Sequence, residues 1–150
     1  QFALPDAVER LREARDGDAS APLVVMAASD PANAYALQLE GLERDPLTRP
    51  RGTGALLVTR NCRVILAAEG RGNRVMLASG LTEQEVTAAV SALVRHVFAG
   101  MSPLRRRKPV TTTLIDGVPA NASPHVDAFM AAGFKRGTDG LQWWGEVSRF

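Results

Sequence analysis

The chain has 150 residues, 45% hydrophobic and 23% charged, a balance that buries a single core and excludes a disordered tail, a fibre or a solvated linker. No apolar run reaches the length of a membrane span, and Gln1 to Asp6 lacks the basic start and apolar core of a signal peptide. The net charge of +2 is unevenly spread: residues 1–48 carry four basic side chains against nine acidic ones, net −5, and residues 49–150 carry fourteen against seven, net +7. Sixteen of the eighteen basic residues are arginine, which suits bidentate phosphate contacts and equally suits a biased genome. Cys62 is the single cysteine, so no internal disulfide or thiolate zinc site can form, and the expected setting is reducing and cytoplasmic. The absence of an initial methionine fits a piece of something longer.

In chain order, Leu4, Val8 and Leu11 recur at helical spacing, which predicts a short helix over Pro5 to Arg15, one that could belong to a preceding domain. Asp16 to Pro22 is a loop, and Leu23 to Ala28 a short buried strand. Asp30 and Pro31 suit the start of a helical turn, with Ala32 to Leu39 a short helix or an irregular turn. The glycines and prolines of residues 41–54 predict loop. Gly54–Arg60, Arg63–Glu69 and Arg74–Ser79 are three β runs joined by connections too short for a crossover, which predicts an antiparallel meander.

Thr82 and Glu85 form a capping-box pattern, Val86, Val90, Leu93, Val94 and Val97 form an apolar stripe, and Gly100 is the expected C-cap glycine. After a proline-bracketed basic loop, Val110–Ile115 is β-branched, Asp116–Gly117 is a turn and Val118–Ala120 resumes extended backbone. Ser123 and Pro124 open a second helix with Val126, Phe129 and Met130 on its apolar face, ended by Gly133, with Phe134 folding back onto it. Leu141 to Trp144 is the last strand, following Gly140. The fold class is therefore α+β, one domain with a mainly antiparallel, barrel-like sheet and two or three flanking helices.

Catalytic patterns are weak. No phosphate-binding loop with its lysine is present, which argues against ATP binding by this segment. Cys62 lies in a turn while His96 and His125 lie on helices, and neither histidine has a second imidazole at metal spacing, so no metal and no resident cofactor is expected. Arg49-Pro50-Arg51-Gly52-Thr53-Gly54 matches the R-x-x-G-x-G pattern of acetyltransferases, and Ala131–Phe134 resembles a late junction of that family, but a strand follows the motif where a helix N-terminus should. Arg105, Arg106, Arg107 and Lys108 form the strongest charge cluster. It is either a solvated loop or a contact to the nucleic-acid phosphate backbone, with Arg49 and Arg51, and with Arg71 and Arg74, as company if the loop and hairpin tips converge. Trp143 and Trp144 are adjacent on a strand and face opposite ways: one is core, and the other either stacks on a base or lies against a neighbouring domain, burial against protein being the preferred reading.

Several segments in succession resemble one family. They are Leu4–Arg12, Ala27–Asn33, Gly54–Val58 with its hairpin, Ile115–Ala120, and Ser123–Pro124 through Ala132-Gly133-Phe134 to Gly140-Leu141. Their order and spacing resemble the extreme C-terminal region of the Lhr-type large helicases, ATP-dependent superfamily 2 enzymes of bacteria. Residues 39–52 and the tail from Trp144 are the least family-like, and Asn61-Cys62 replaces the family's D-G hairpin turn. The resemblance implies a parent with RecA-like motor lobes, which use ATP and Mg, and winged-helix domains upstream. It also suggests kinship with the terminal barrel of the winged-helix DNA glycosylases, whose reactive motif lies upstream of that barrel; no residue here matches it. The expected function is a non-catalytic accessory domain of a DNA-repair helicase that binds DNA backbone or assembles with the upstream domains, self-association remaining open. The alternative is a stand-alone enzyme, an acetyltransferase or part of a DNA glycosylase.

Overall fold

The computed structural model describes residues 9, 21–31, 33, 46–48, 52, 54–61, 63–101 and 108–145. The helices expected over Pro5–Arg15 and Ala32–Leu39 lie almost wholly outside these residues, as does Cys62.

Among the described residues there are nine strands and two α-helices: β1 (Val24–Ala27), β2 (Leu56–Arg60), β3 (Arg63–Glu69), β4 (Arg74–Leu77), α1 (Glu83–Ala99), β5 (Val110–Thr112), β6 (Leu114–Ile115), β7 (Val118–Pro119), α2 (Val126–Ala131), β8 (Lys135–Gly137) and β9 (Gly140–Trp143). Short 3-10 turns occupy Pro46–Thr48 and Ala120–Ala122. The strands form two open sheets, one ordered β1-β2-β3-β4-β6-β7 and one ordered β5-β9-β8. All pairings are antiparallel except β4 with β6, so the α+β, mainly antiparallel class holds. The expected meander is β2-β3-β4. The parallel pair arises because α1 supplies the crossover that parallel strands need.

The sequence explains α1 well. Thr82 Oγ1 accepts from Glu85 N–H, and the Glu85 carboxylate accepts in turn from Thr82 N–H at 2.9 Å, satisfying two of the orphan donors of the first turn. Val86, Ala89, Val90, Leu93, Val94 and Val97 are buried and pack on Val58, Leu66, Val75, Ile115, Phe129, Leu141 and Trp143. Burial of a valine or leucine side chain contributes about 1.5–3 kcal/mol, so this stripe is the main tie between helix and sheets. A second, smaller core on the other face of the larger sheet joins Ala28, Leu47, Ala55, Leu57, Val64 and Ala67.

Two-sided cover explains why β3 is buried at five successive positions, Val64 to Ala68. Strict alternation fails there for a stated reason. Val58 faces Leu66 while Thr59 faces Val64, so Ile65 is an extra residue at a β-bulge, and Ile65 and Leu66 both join the main core.

Several boundaries differ from the sequence reading. Val110–Ile115 is not one strand: β5 enters the smaller sheet and β6 the larger, with Thr113 between, its N–H donating to Asn73 O at 2.8 Å. Strand β8 was not anticipated, because Lys135-Arg136-Gly137 has no apolar alternation, which an edge strand can lack. Strand β1 is the opposite edge of the larger sheet rather than a buried strand, leaving Val24 48% exposed. Gly100 caps α1 with φ −77°, a right-handed rather than left-handed cap. Helix α2 begins at Val126, not at Pro124. Ser123 Oγ accepts from His125 N–H at 3.2 Å and so closes the turn before the helix. Met130 is exposed, and Ala128 takes its expected place beside Phe129 in the core. Phe134 does fold back, its ring 5.2 Å edge-on from Phe129.

Candidate nucleic-acid interface

Arg49, Arg51, Arg105, Arg106 and Arg107 lie outside the described residues; Lys108 is exposed just ahead of β5. The ends of both arginine-bearing segments can nonetheless be placed. Gly54 closes the first segment and leads through Ala55 into β2, and Gly100 ends α1 and precedes the second. Gly54 and Gly100 line one hollow of about 170 Å³ together with Leu56, Arg71, His96 and Val97. Arg51 is three residues from Gly54 and Arg105 is five from Gly100.

Arg71 is the described cation of this hollow. It sits at φ 60° in the β3–β4 turn and is exposed. The turn is laced to the strand that follows the basic loop. Thr112 Oγ1 donates to Gly72 O at 2.7 Å, Asn73 Nδ2 donates to Thr111 O at 3.3 Å, and Thr113 N–H donates to Asn73 O at 2.8 Å. The fold thus brings three described places together: Gly54 ahead of β2, the Arg71 turn, and Gly100 at the end of α1, with β5 laced to the same turn. Since α1 presents carbonyls at its C-terminus, an anion there depends on the arginines and not on the helix dipole.

The other cations are dispersed. Arg63, Arg74, Arg95, Lys135 and Arg136 are exposed. Arg60 is engaged, its guanidinium 3.3 Å from Glu85. The Glu85 pKa is lowered, chiefly by the Thr82 backbone and hydroxyl hydrogen bonds, which outweigh the opposing effect of desolvation, and to a lesser degree by the nearby charges of Arg60 and Arg63.

No catalytic grouping emerges among the described residues. No three His, Cys, Asp or Glu side chains gather as metal ligands there. His96 lies exposed in the last turn of α1, and His125 precedes α2 with Nε2 3.8 Å from Asp116 Oδ2. Asp116 Oδ1 also accepts from Leu77 N–H at 2.8 Å, a tie between the β6–β7 turn and β4 that sequence reasoning missed; an aspartate in a D-G turn signals the turn but not its distant partner. The R-x-x-G-x-G segment runs into strand β2, so no helix N-terminus follows it to hold a pyrophosphate. No helix among the described residues is long and apolar enough to cross a membrane. Trp143 is 5% exposed and Trp144 50%, the division expected from strand alternation.

No family model matches the chain. Over 149 residues, 95% of its own length, it is 36% identical to a protein of Mycolicibacterium smegmatis named "Lhr helicase/probable uracil glycosylase". The matched region is 10% of that protein, so the chain spans about a tenth of the length of the relative.

Proposed function

We propose that this chain is the C-terminal accessory domain of a large, ATP-dependent, Lhr-type DNA helicase of the bacterial cytoplasm, active in DNA repair. It is not itself the motor: ATP and Mg are handled by motor lobes elsewhere in the parent. Its own role is to contact DNA phosphates and to dock against the upstream winged-helix and motor domains or a second copy. The observation that carries this reading is the 36% identity to the Lhr helicase over 95% of the chain. The convergence of Arg71 with the anchors of both arginine-bearing segments supports the DNA contact.

The test is fluorescence anisotropy of labelled duplex across a salt series. Changing Arg105, Arg106, Arg107 and Lys108 together to alanine should weaken all duplex sequences about equally, because backbone contacts carry no base identity. Each lost phosphate contact should reduce the log–log salt slope by roughly 0.9. Arg49→Ala with Arg51→Ala should give a smaller loss of the same kind. An unchanged affinity and slope in the quadruple variant would remove DNA from this loop and leave docking as its role.

A second reading, base excision, is favoured by the relative's printed name. Release of uracil from a uracil-containing oligonucleotide by this chain alone would establish it, and intact oligonucleotide would exclude a self-sufficient glycosylase.

A further inference from the structure

The smaller sheet has two unlike faces. Leu141 and Trp143 of β9 point into the main core, and Trp143 is fixed by Phe98, whose ring stands edge-on at 5.3 Å. On the other face Thr111, Gln142 and Lys135 form one cross-strand row, Thr111 opposite Gln142 and Gln142 opposite Lys135. The Gln142 side chain lies across Gly137, where an added Cβ would come within 2.7 Å of its Cδ. One step past β9, on the side of Gln142 by alternation, stands Trp144, 50% exposed.

Its backbone is held on both sides. Trp143 is paired with Val110, and Gly145, at φ 86°, sits against Phe98 so closely that a Cβ would come 2.8 Å from the ring's Cζ. Extending the β5–β9 register by one residue puts Pro109 opposite Trp144. Exposed Lys135 stands at the same open end of the sheet. Asp139 lies in the β8–β9 turn at the opposite end.

A large aromatic face on a fixed backbone, with an exposed lysine on the same face and at the same end of the sheet, has the chemistry of a base-stacking platform. The ring offers a π-face to any base, and the Lys135 ammonium suits a neighbouring phosphate. Tryptophan is enriched and lysine depleted at protein interfaces, so it is the charge beside the ring that favours a phosphate-bearing strand over a protein surface. We infer that Trp144, with Lys135, binds an unpaired nucleobase of single-stranded DNA. This rests on the nucleic-acid reading above and adds to it a second surface, one for separated strand, which a helicase product supplies.

The test compares oligothymidylate, an abasic strand of equal length and a duplex, each binding the full chain, its Trp144→Ala variant and its Trp144→Phe variant. Trp144→Ala should weaken oligothymidylate about 5- to 150-fold, the span of one base stacked on one ring. It should leave the abasic strand and the duplex unchanged, and Trp144→Phe should keep most of the affinity. Quenching of tryptophan fluorescence by oligothymidylate should largely vanish in Trp144→Ala, because the remaining Trp143 is buried. Unaltered thermal melting of Trp144→Ala excludes misfolding as the cause of its loss. Equal affinity of wild type and Trp144→Ala for oligothymidylate, or equal losses on the abasic strand, would overturn the platform while duplex binding stands. Binding of neither duplex nor single strand by the wild type would instead refute the nucleic-acid reading itself. Loss of self-association in Trp144→Ala, with unchanged oligothymidylate affinity, would assign the ring to protein packing.

Discussion

Gly140→Ala should be among the most damaging single-methyl additions to this fold. Gly140 starts β9 at φ 133°, where L side chains are strained, and it passes against the segment that moves from one sheet to the other. An added Cβ would collide with Thr112 O and would lie 3.0 Å from Thr112 C and 3.1 Å from Thr113 Cα. These are backbone atoms held by the β5–β9 pairing and by the Thr112–Gly72 and Thr113–Asn73 hydrogen bonds, so no flexible side chain can yield. Backbone strain of about 1–3 kcal/mol adds to overpacking of about 1–3 kcal/mol, giving a loss on the order of 2–6 kcal/mol. Gly117→Ala is the matched control. Gly117 has φ 78° but nothing within 4 Å of an added Cβ, so only the conformational cost of about 1–2 kcal/mol applies. Urea unfolding separates the two. With a slope of about 2 kcal/mol/M, Gly140→Ala should lower the midpoint by about 1–3 M and Gly117→Ala by under about 1 M. Equal, small shifts would refute the close approach between β9 and the Thr112–Thr113 backbone.

Two further outcomes follow from α1. Leu93, 1% exposed in the helix–sheet core, should lose about 2–5 kcal/mol on change to alanine, whereas Thr82→Ala should lose about 1 kcal/mol through the cap; equal losses in denaturant melts would contradict burial of the stripe. Glu85, whose folded-state pKa is lowered, adds stability above its ordinary carboxylate pKa, and that stability is lost as pH falls through the folded value. Glu85→Gln should therefore lower the melting temperature near neutrality and flatten its acid limb, the difference from wild type shrinking as the wild-type carboxylate protonates; an unchanged acid limb would contradict the reciprocal cap.

Legibility in the sequence tracked the range of the interaction that fixes each element. The capping box of Thr82 and Glu85, the Val86-to-Val97 stripe and the hairpins of the meander are specified within a few residues, and they stand where the pattern puts them. The division of Val110–Ile115 between two sheets was not legible, because its cause is the Asn73 turn some 40 residues away. Strand β8 was hidden because its pairing with β9, not its own residue pattern, makes it a strand. For the site, the convergence of loop and hairpin was an idea that sequence could frame but not measure. Gly54, Arg71 and Gly100 share one hollow, while the loop arginines themselves lie outside the described residues, and the exposed Trp144 matches the alternation argument. The Asp116 contacts with Leu77 and His125 carried no local signal at all.

The passage of one short segment through both sheets has a thermodynamic consequence. Strands β5 and β6 are separated by Thr113 alone, and that residue is bound to the β3–β4 turn by its N–H. Neither sheet can release this segment without stripping the other of an edge partner or of its anchor, so the free energies of the two layers are not separate reservoirs. The small sheet bearing Trp144 therefore draws on the stability of the whole domain, despite having only three strands. A base stacked on Trp144, as proposed, would meet a surface already ordered, and little of the binding free energy would be lost to arranging it.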